Sequence, residues 1–150
     1  GMHITLPSVE GQTRAMQMAM EDSGLPAQAI GYLNAHGTAT DAGDVTETQS
    51  IKEAFGAHAQ KLAISSTKAV HGHMIGAGGT VEFALSVLAL DSGKIPPTAN
   101  LDKAGDGCDL DYVPRIARRA PDLQAVMSNS FAFGGTNVSL IARRVESAVH

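Results

Sequence analysis

This sequence predicts an α/β fold, helices layered on a mixed sheet, and three observations carry the prediction. Short apolar runs at 30–35 and 62–65 alternate with longer stretches of helical periodicity, the pattern of strands crossing through helices. Two further apolar runs, 125–131 and 138–143, flank Gly134-Gly135 near the C-terminal end and read as an antiparallel hairpin. The 150 residues, 43% hydrophobic and 17% charged, suit one domain around one core. The expected order is α-β-α-β-α-β-β-β, with five strands in the sheet.

Pro7-Ser8 opens a capped helix over 8–23 that stops near Gly24, with Met16, Ala19 and Met20 on its buried face. The strand at 30–35 runs straight into His36-Gly37-Thr38. Helical spacing resumes near Asp44, through Val45, Thr48, Ile51 and Phe55. After the strand at 62–65, Lys68 falls in a loop. A third helix is expected over 72–90, apolar nearly all round and therefore buried on most sides. Gly76, Gly78 and Gly79 would each cost about 1 kcal/mol inside it relative to Ala, so a close neighbouring backbone is expected there. Pro96-Pro97 ends that unit, 98–109 is loop, and 110–113 is a short strand.

Several function classes drop out early. A net charge of −4 gives no basic field for nucleic acid, and Arg118-Arg119 and Arg143-Arg144 read as solvated pairs. The single cysteine, Cys108, allows no internal disulfide, which fits a reducing cytoplasmic setting. No signal peptide is visible. The apolar stretch 74–90 is broken by three glycines and Glu82, the mark of a core helix and not of a membrane span. Gly1-Met2 could be a cloning scar, so one domain is expected over 1–150 with those two residues set aside.

The chemistry is expected at His36 and His73. In open α/β sheets, sites gather at the C-terminal ends of strands, where His36 and Lys68 fall. His73 follows Gly72 at the expected start of the third helix, a place that disfavours an imidazolium. A neutral imidazole can donate a hydrogen bond to an enolate-like oxygen. Lys68 could hold a charge in place, with Glu82 as its partner if the fold joins them. His71 and His73 form a His-x-His, but no carboxylate or cysteine ligand stands at a recognisable spacing, so a polar loop residue is the better reading of His71 and no metal is expected.

The motifs then become specific. The run Asn34-Ala35-His36-Gly37-Thr38-Ala39-Thr40 resembles the first histidine motif of the β-ketoacyl-acyl carrier protein synthases. Ser65-Ser66-Thr67-Lys68 with Gly72-His73 resembles their lysine and second histidine motif, continued by Gly76-Ala77-Gly78-Gly79 and Glu82. The segment 129–137, Asn-Ser-Phe-Ala-Phe-Gly-Gly-Thr-Asn, resembles their glycine-rich loop. Four motifs in order cover roughly residues 3–145.

The resemblance implies a thiolase-like half fold and a decarboxylative Claisen condensation of malonyl-acyl carrier protein with an acyl thioester. His36 and His73 would assist decarboxylation and stabilise the enolate, and Lys68, paired with Glu82, would organise the site's charge. Thr38 and Thr40 match positions that bind the pantetheine arm. Phe133 matches a gating residue beside the acyl pocket, with Phe131 next to it. No cofactor is implied beyond phosphopantetheine on the carrier protein, which is the implied partner.

Two departures stand out. Ala132 replaces the family's usual Gly, and the family nucleophile, a cysteine of the N-terminal half, is not among these residues. Cys108 lies in an acidic stretch, Gly107-Cys108-Asp109-Leu110-Asp111, which does not suit a nucleophilic thiolate. Condensation by this chain alone is therefore not expected. A half-domain acting as an interaction module, completed by a separate N-terminal half or self-associating through an apolar face, is the main alternative. A remoter one is a serine hydrolase built on Ser65-x-x-Lys68, although the companion S-D-N and K-T-G motifs are missing.

Overall fold

Ser8 caps the first helix as expected: its hydroxyl accepts the Gly11 N–H at 3.2 Å. That helix, α1 (Val9–Ser23), ends at Gly24 in the left-handed conformation, whose N–H closes on the Glu21 carbonyl. The computed structural model describes residues 6–145. Strand β1 (Ile30–Asn34) leads through α2 (Asp41–Phe55) to β2 (Ala63–Ser65). A single helical turn, α3 (Lys68–His71), precedes the long α4 (Gly78–Ser92). Two-residue strands β3 (Lys94–Ile95) and β4 (Arg118–Arg119) pair with each other, and β5 (Ala125–Phe131) and β6 (Asn137–Arg143) form the C-terminal hairpin.

The main sheet has the order β2-β1-β5-β6. Strands β2, β1 and β5 run parallel and β6 antiparallel. Side-chain alternation divides the core. Leu33, Ile64 and Met127 face Met16 of α1 and Ile51 and Phe55 of α2. Tyr32, Ala63 and Val126 face Ala89 and Leu90 of α4. The two central parallel strands are buried on both faces, which is why they read as continuous apolar runs.

Three expectations need correction. The fifth strand, 110–113, is reduced to one bridge between Ala63 and Asp111, with the Ile64 N–H on the Asp111 carbonyl at 2.8 Å. Val113 adopts a positive φ of 44° and Pro114 has no N–H to give, so the ladder cannot extend. The helix expected over 72–90 begins six residues later. Gly72 (φ 74°, ψ −178°) and Ile75 (φ 50°) turn the chain first, so Lys68 opens a short helix instead of sitting in a loop, and His73 lies between two helices. Gly78 and Gly79 are then the first two residues of α4 and not its interior. No neighbouring backbone approaches the three glycines: a Cβ on Gly79 would stand 3.0 Å from the side-chain Oγ of Ser130 on β5, and one on Gly76 would meet open space.

The third correction concerns burial. Glu82, Ser86, Ala89 and Leu90 of α4 are buried, yet Val87 and Leu88 are 39% and 60% exposed. One side of an almost uncharged helix is therefore bare.

Candidate functional site

The site forms where three adjacent strands end. Beyond β1, Ala35 extends the pairing with β2 through its N–H on the Ser65 carbonyl (2.9 Å), and His36 follows. The next turn is held by Glu47, from α2. Its carboxylate accepts the His36 N–H at 3.0 Å and the Gly37 N–H at 2.8 Å. Asn129 of β5 adds an Nδ2–H at 3.2 Å, and its own Oδ1 accepts the Ser139 hydroxyl at 2.8 Å. Burial pushes the Glu47 carboxyl up, against the pull of the three N–H donors and the Lys68 charge.

Lys68 and Glu82 meet as expected. Nζ lies 2.6 Å from Oε1, and both side chains are almost wholly removed from solvent. Around this pair stand the aromatic rings. His36 and His73 are edge-on, with centroids 5.5 Å apart and planes at 88°, and Phe131 packs on His36 at 5.9 Å. Burial holds the His36 ring down at about 4, helped by the charges of Lys68 and His73, so His36 is neutral near pH 7. Its buried Nδ1 has no hydrogen-bond partner among the described residues. His73 accepts the Ile75 N–H at Nδ1 (3.2 Å). In the neutral ring the proton therefore sits on Nε2, which is left free to donate.

Of these groups Glu47, Lys68 and His73 line a cavity of about 530 Å³, with Thr38, Asn100, Cys108 and Tyr112 among its other walls, and His36, Glu82 and Phe131 stand outside that lining. Thr38 reaches it. The Thr40 hydroxyl lies 3.4 Å from that of Thr38 but stands outside the lining, folded over Gly43. Phe131 joins the histidines, whereas Phe133 is 74% exposed in the hairpin turn. Ala132 is extended (φ −130°, ψ 163°), so the alanine adds no backbone strain; the left-handed positions are Gly134 and Gly135.

The hydrolase alternative fails on geometry, because Ser65 is completely buried with its hydroxyl on Tyr32 (2.9 Å) and Lys68 is engaged with Glu82. His71 uses both ring nitrogens within the protein, on Thr67 and on the Gly72 carbonyl. Glu47 escaped the sequence reading. Its only signal was a carboxylate on the face of α2 that also carries Thr48 and Ser50, a polar face that apolar periodicity does not flag.

The family model for the beta-ketoacyl synthase C-terminal domain matches residues 1–102. The 3-oxoacyl-acyl-carrier-protein synthase 2 of Coxiella burnetii is 50% identical over 145 residues, 95% of this chain and 35% of that protein. Nodulation protein E of Rhizobium meliloti is 46% identical over 143 residues, again 95% of this chain and 35% of its own length. The crystal structure of a beta-ketoacyl synthase from Burkholderia phymatum superposes with a TM-score of 0.89 at 46% identity, covering 97% of this chain and 35% of that one. The chain thus spans about a third of the length of the relatives it matches.

Protonating His36 separates the folded from the unfolded chain. The unfolded ring titrates near 6.5 and the folded ring near 4, so the unfolded chain binds more protons between those values. The contribution of His36 to stability is therefore whole above pH 6.5 and declines as pH falls towards 4. An NMR titration of the ring protons is expected to give a midpoint near 4. A midpoint near 6.5 would remove the electrostatic account of this ring.

Proposed function

We propose, since the chain belongs to the β-ketoacyl synthase family as its C-terminal domain, that it supplies the decarboxylating half of a condensing site acting on malonyl-acyl carrier protein. The observation that carries this reading is the pair of imidazoles set edge-on at 5.5 Å over a buried lysine–glutamate pair. When malonyl loses CO2, the bond between its carboxylate carbon and C2 breaks. The electron pair moves into an enolate whose charge gathers on the thioester oxygen. His73 Nε2–H and a neutral His36 are the donors for that oxygen, held in place before the charge develops, His36 half-buried and His73 at the exposed rim. C2 then attacks the acyl thioester carbon, and the sulfur that held the acyl group leaves.

In this reading Lys68 keeps a positive charge beside the developing anion, Glu82 holds Lys68, and Glu47 positions the His36 turn. Thr38 and Thr40 would bind the pantetheine arm, and Phe131 and Phe133 would border the acyl group. No resident cofactor is needed, because the substrate travels on the phosphopantetheine of the carrier protein. A cytoplasmic setting follows from the same substrate. Ile75–Ser92 has the length and hydropathy of a membrane span, but Glu82 within it pairs with Lys68 and its Ala89 and Leu90 pack on the sheet, which favours a core helix.

The acyl-holding cysteine has to come from elsewhere, and the bare side of α4 fits a cysteine-bearing N-terminal half. Ala84, Val87 and Leu88 share that face at helical spacing, all exposed and uncharged, and an apolar helix face of this kind is made to be covered.

Two outcomes follow. Measured as labelled CO2 released from malonyl-acyl carrier protein with the cysteine-bearing half present, His36→Ala and His73→Ala should each lower the rate by roughly 10²- to 10³-fold. Unchanged release would end this reading, and condensation by the chain alone would contradict the half-site. Sedimentation of the isolated chain should show concentration-dependent self-association that Leu88→Lys suppresses. A clean monomer at high concentration would argue that the α4 face needs no cover.

A further inference from the structure

We infer that His71 is a positioning residue, whose ring ties the two ends of α3 together and so fixes where Lys68 and His73 stand relative to His36. This deepens the proposed condensing site and rests on it for its catalytic meaning, though not for its geometry.

His71 ends α3. Its Nδ1 lies 2.7 Å from the Gly72 carbonyl and its Nε2 3.1 Å from Thr67 Oγ1. A carbonyl oxygen only accepts, so in the neutral ring Nδ1 carries the proton and Nε2 accepts from the Thr67 hydroxyl. The Thr67 oxygen in turn accepts an Asn34 Nδ2–H at 3.1 Å. Asn34 gives its other amide hydrogen to the main-chain carbonyl of Glu82 at 3.1 Å, and its Oδ1 faces the Thr67 N–H at 3.4 Å. The Thr67 hydroxyl is the one shared donor, set between His71 Nε2 at 3.1 Å and Asn34 Oδ1 at 3.3 Å, and the other donors from the Gly72 carbonyl to the end of β1 each have one acceptor. Asn34 and Thr67 are buried, so the bonds between them and to the Glu82 carbonyl do not compete with water, whereas the His71 bond to Thr67 is part-buried and that to the Gly72 carbonyl is exposed.

A four-residue helix is too short to hold itself. Its residues are fixed from outside, and the imidazole supplies one such tie at each end. Lys68 follows Thr67 directly, and His73 follows Gly72 directly. Gly72 has a backbone freedom that no other residue shares, and the bond to its carbonyl orients the peptide plane on which His73 is carried. Asn34, at the other end of the chain of bonds, stands two residues before His36. The separation of the two site imidazoles is thus set through His71. A plain polar surface residue would leave at least one ring nitrogen to solvent, and a metal ligand would need one free.

The test uses His71→Ala with two partial replacements. Asn supplies a donor where Nδ1 sits, and Gln supplies an acceptor where Nε2 sits. The first readout is the His36 ring titration by NMR on the chain itself. Loosening α3 admits water and moves Lys68 and His73 away, so His71→Ala should raise the midpoint by roughly 0.5 unit or more, with the Asn and Gln variants between it and the parent. The second readout is malonyl decarboxylation with the cysteine-bearing half, where kcat should fall roughly 10- to 100-fold at unchanged KM. If His71→Ala does not fold, the two partial variants carry the comparison. An unmoved His36 midpoint in a folded variant overturns the inference whatever the activity. A raised midpoint supports it even where the parent protein releases no CO2, a result that would count against the condensing function alone.

Discussion

The buried ion pair between Lys68 and Glu82 is the interaction on which the site depends. Removing one partner from such a pair typically costs 3–5 kcal/mol, because the other charge is left alone in a medium that solvates it poorly. The pair also has an architectural effect. Lys68 opens α3 just beyond β2 and Glu82 lies in the second turn of α4, so the pair joins the end of the sheet's edge strand to α4. The Lys68 charge adds to burial in holding the His36 ring neutral. Of the pair, Lys68 lines the cavity and Glu82 does not, so the cavity meets the positive partner.

Everything nearby reinforces that placement with backbone bonds. Glu47 receives the N–H groups of His36 and Gly37, and Asn34 joins Thr67 to the Glu82 carbonyl. Glu47, Asn34 and Asn129 each span two elements, so the three strand ends are tied to one another. The backbone of the site is held by these side-chain bonds, while the buried His36 Nδ1 and Ser128 hydroxyl have no hydrogen-bond partner among the described residues. The neighbour of the site, the bare side of α4, is an apolar surface with no complement among the described residues.

Much of this was legible in the sequence, for physical reasons that differ by element. The cap of α1 was readable because Ser8 and Gly24 carry their own chemistry, a hydroxyl acceptor and a left-handed backbone. His36 was placed correctly because the short apolar run before it fits a strand buried on both faces, which β1 is. The start of α4 was misplaced because hydropathy continues unbroken through Met74 and Ile75, while the break lies in backbone angles at Gly72 and Ile75. The 110–113 strand failed for a similar reason, the positive φ of Val113 before a proline. Glu47 was invisible because its partners are main-chain N–H groups and an asparagine 82 residues away. The motif residues were easier, since their order and spacing mark a family even where the geometry cannot be foreseen.

The most direct test is to replace the ion pair as a unit. Lys68→Met combined with Glu82→Leu removes both charges and leaves neither partner stranded, so the chain should fold with a stability within about 1–2 kcal/mol of the parent by urea unfolding. With the fold intact, the His36 midpoint should rise from about 4, because the neighbouring positive charge is gone. A folded double variant in which that midpoint stays near 4 would contradict the account, since the ion pair would then have no electrostatic hold on the site.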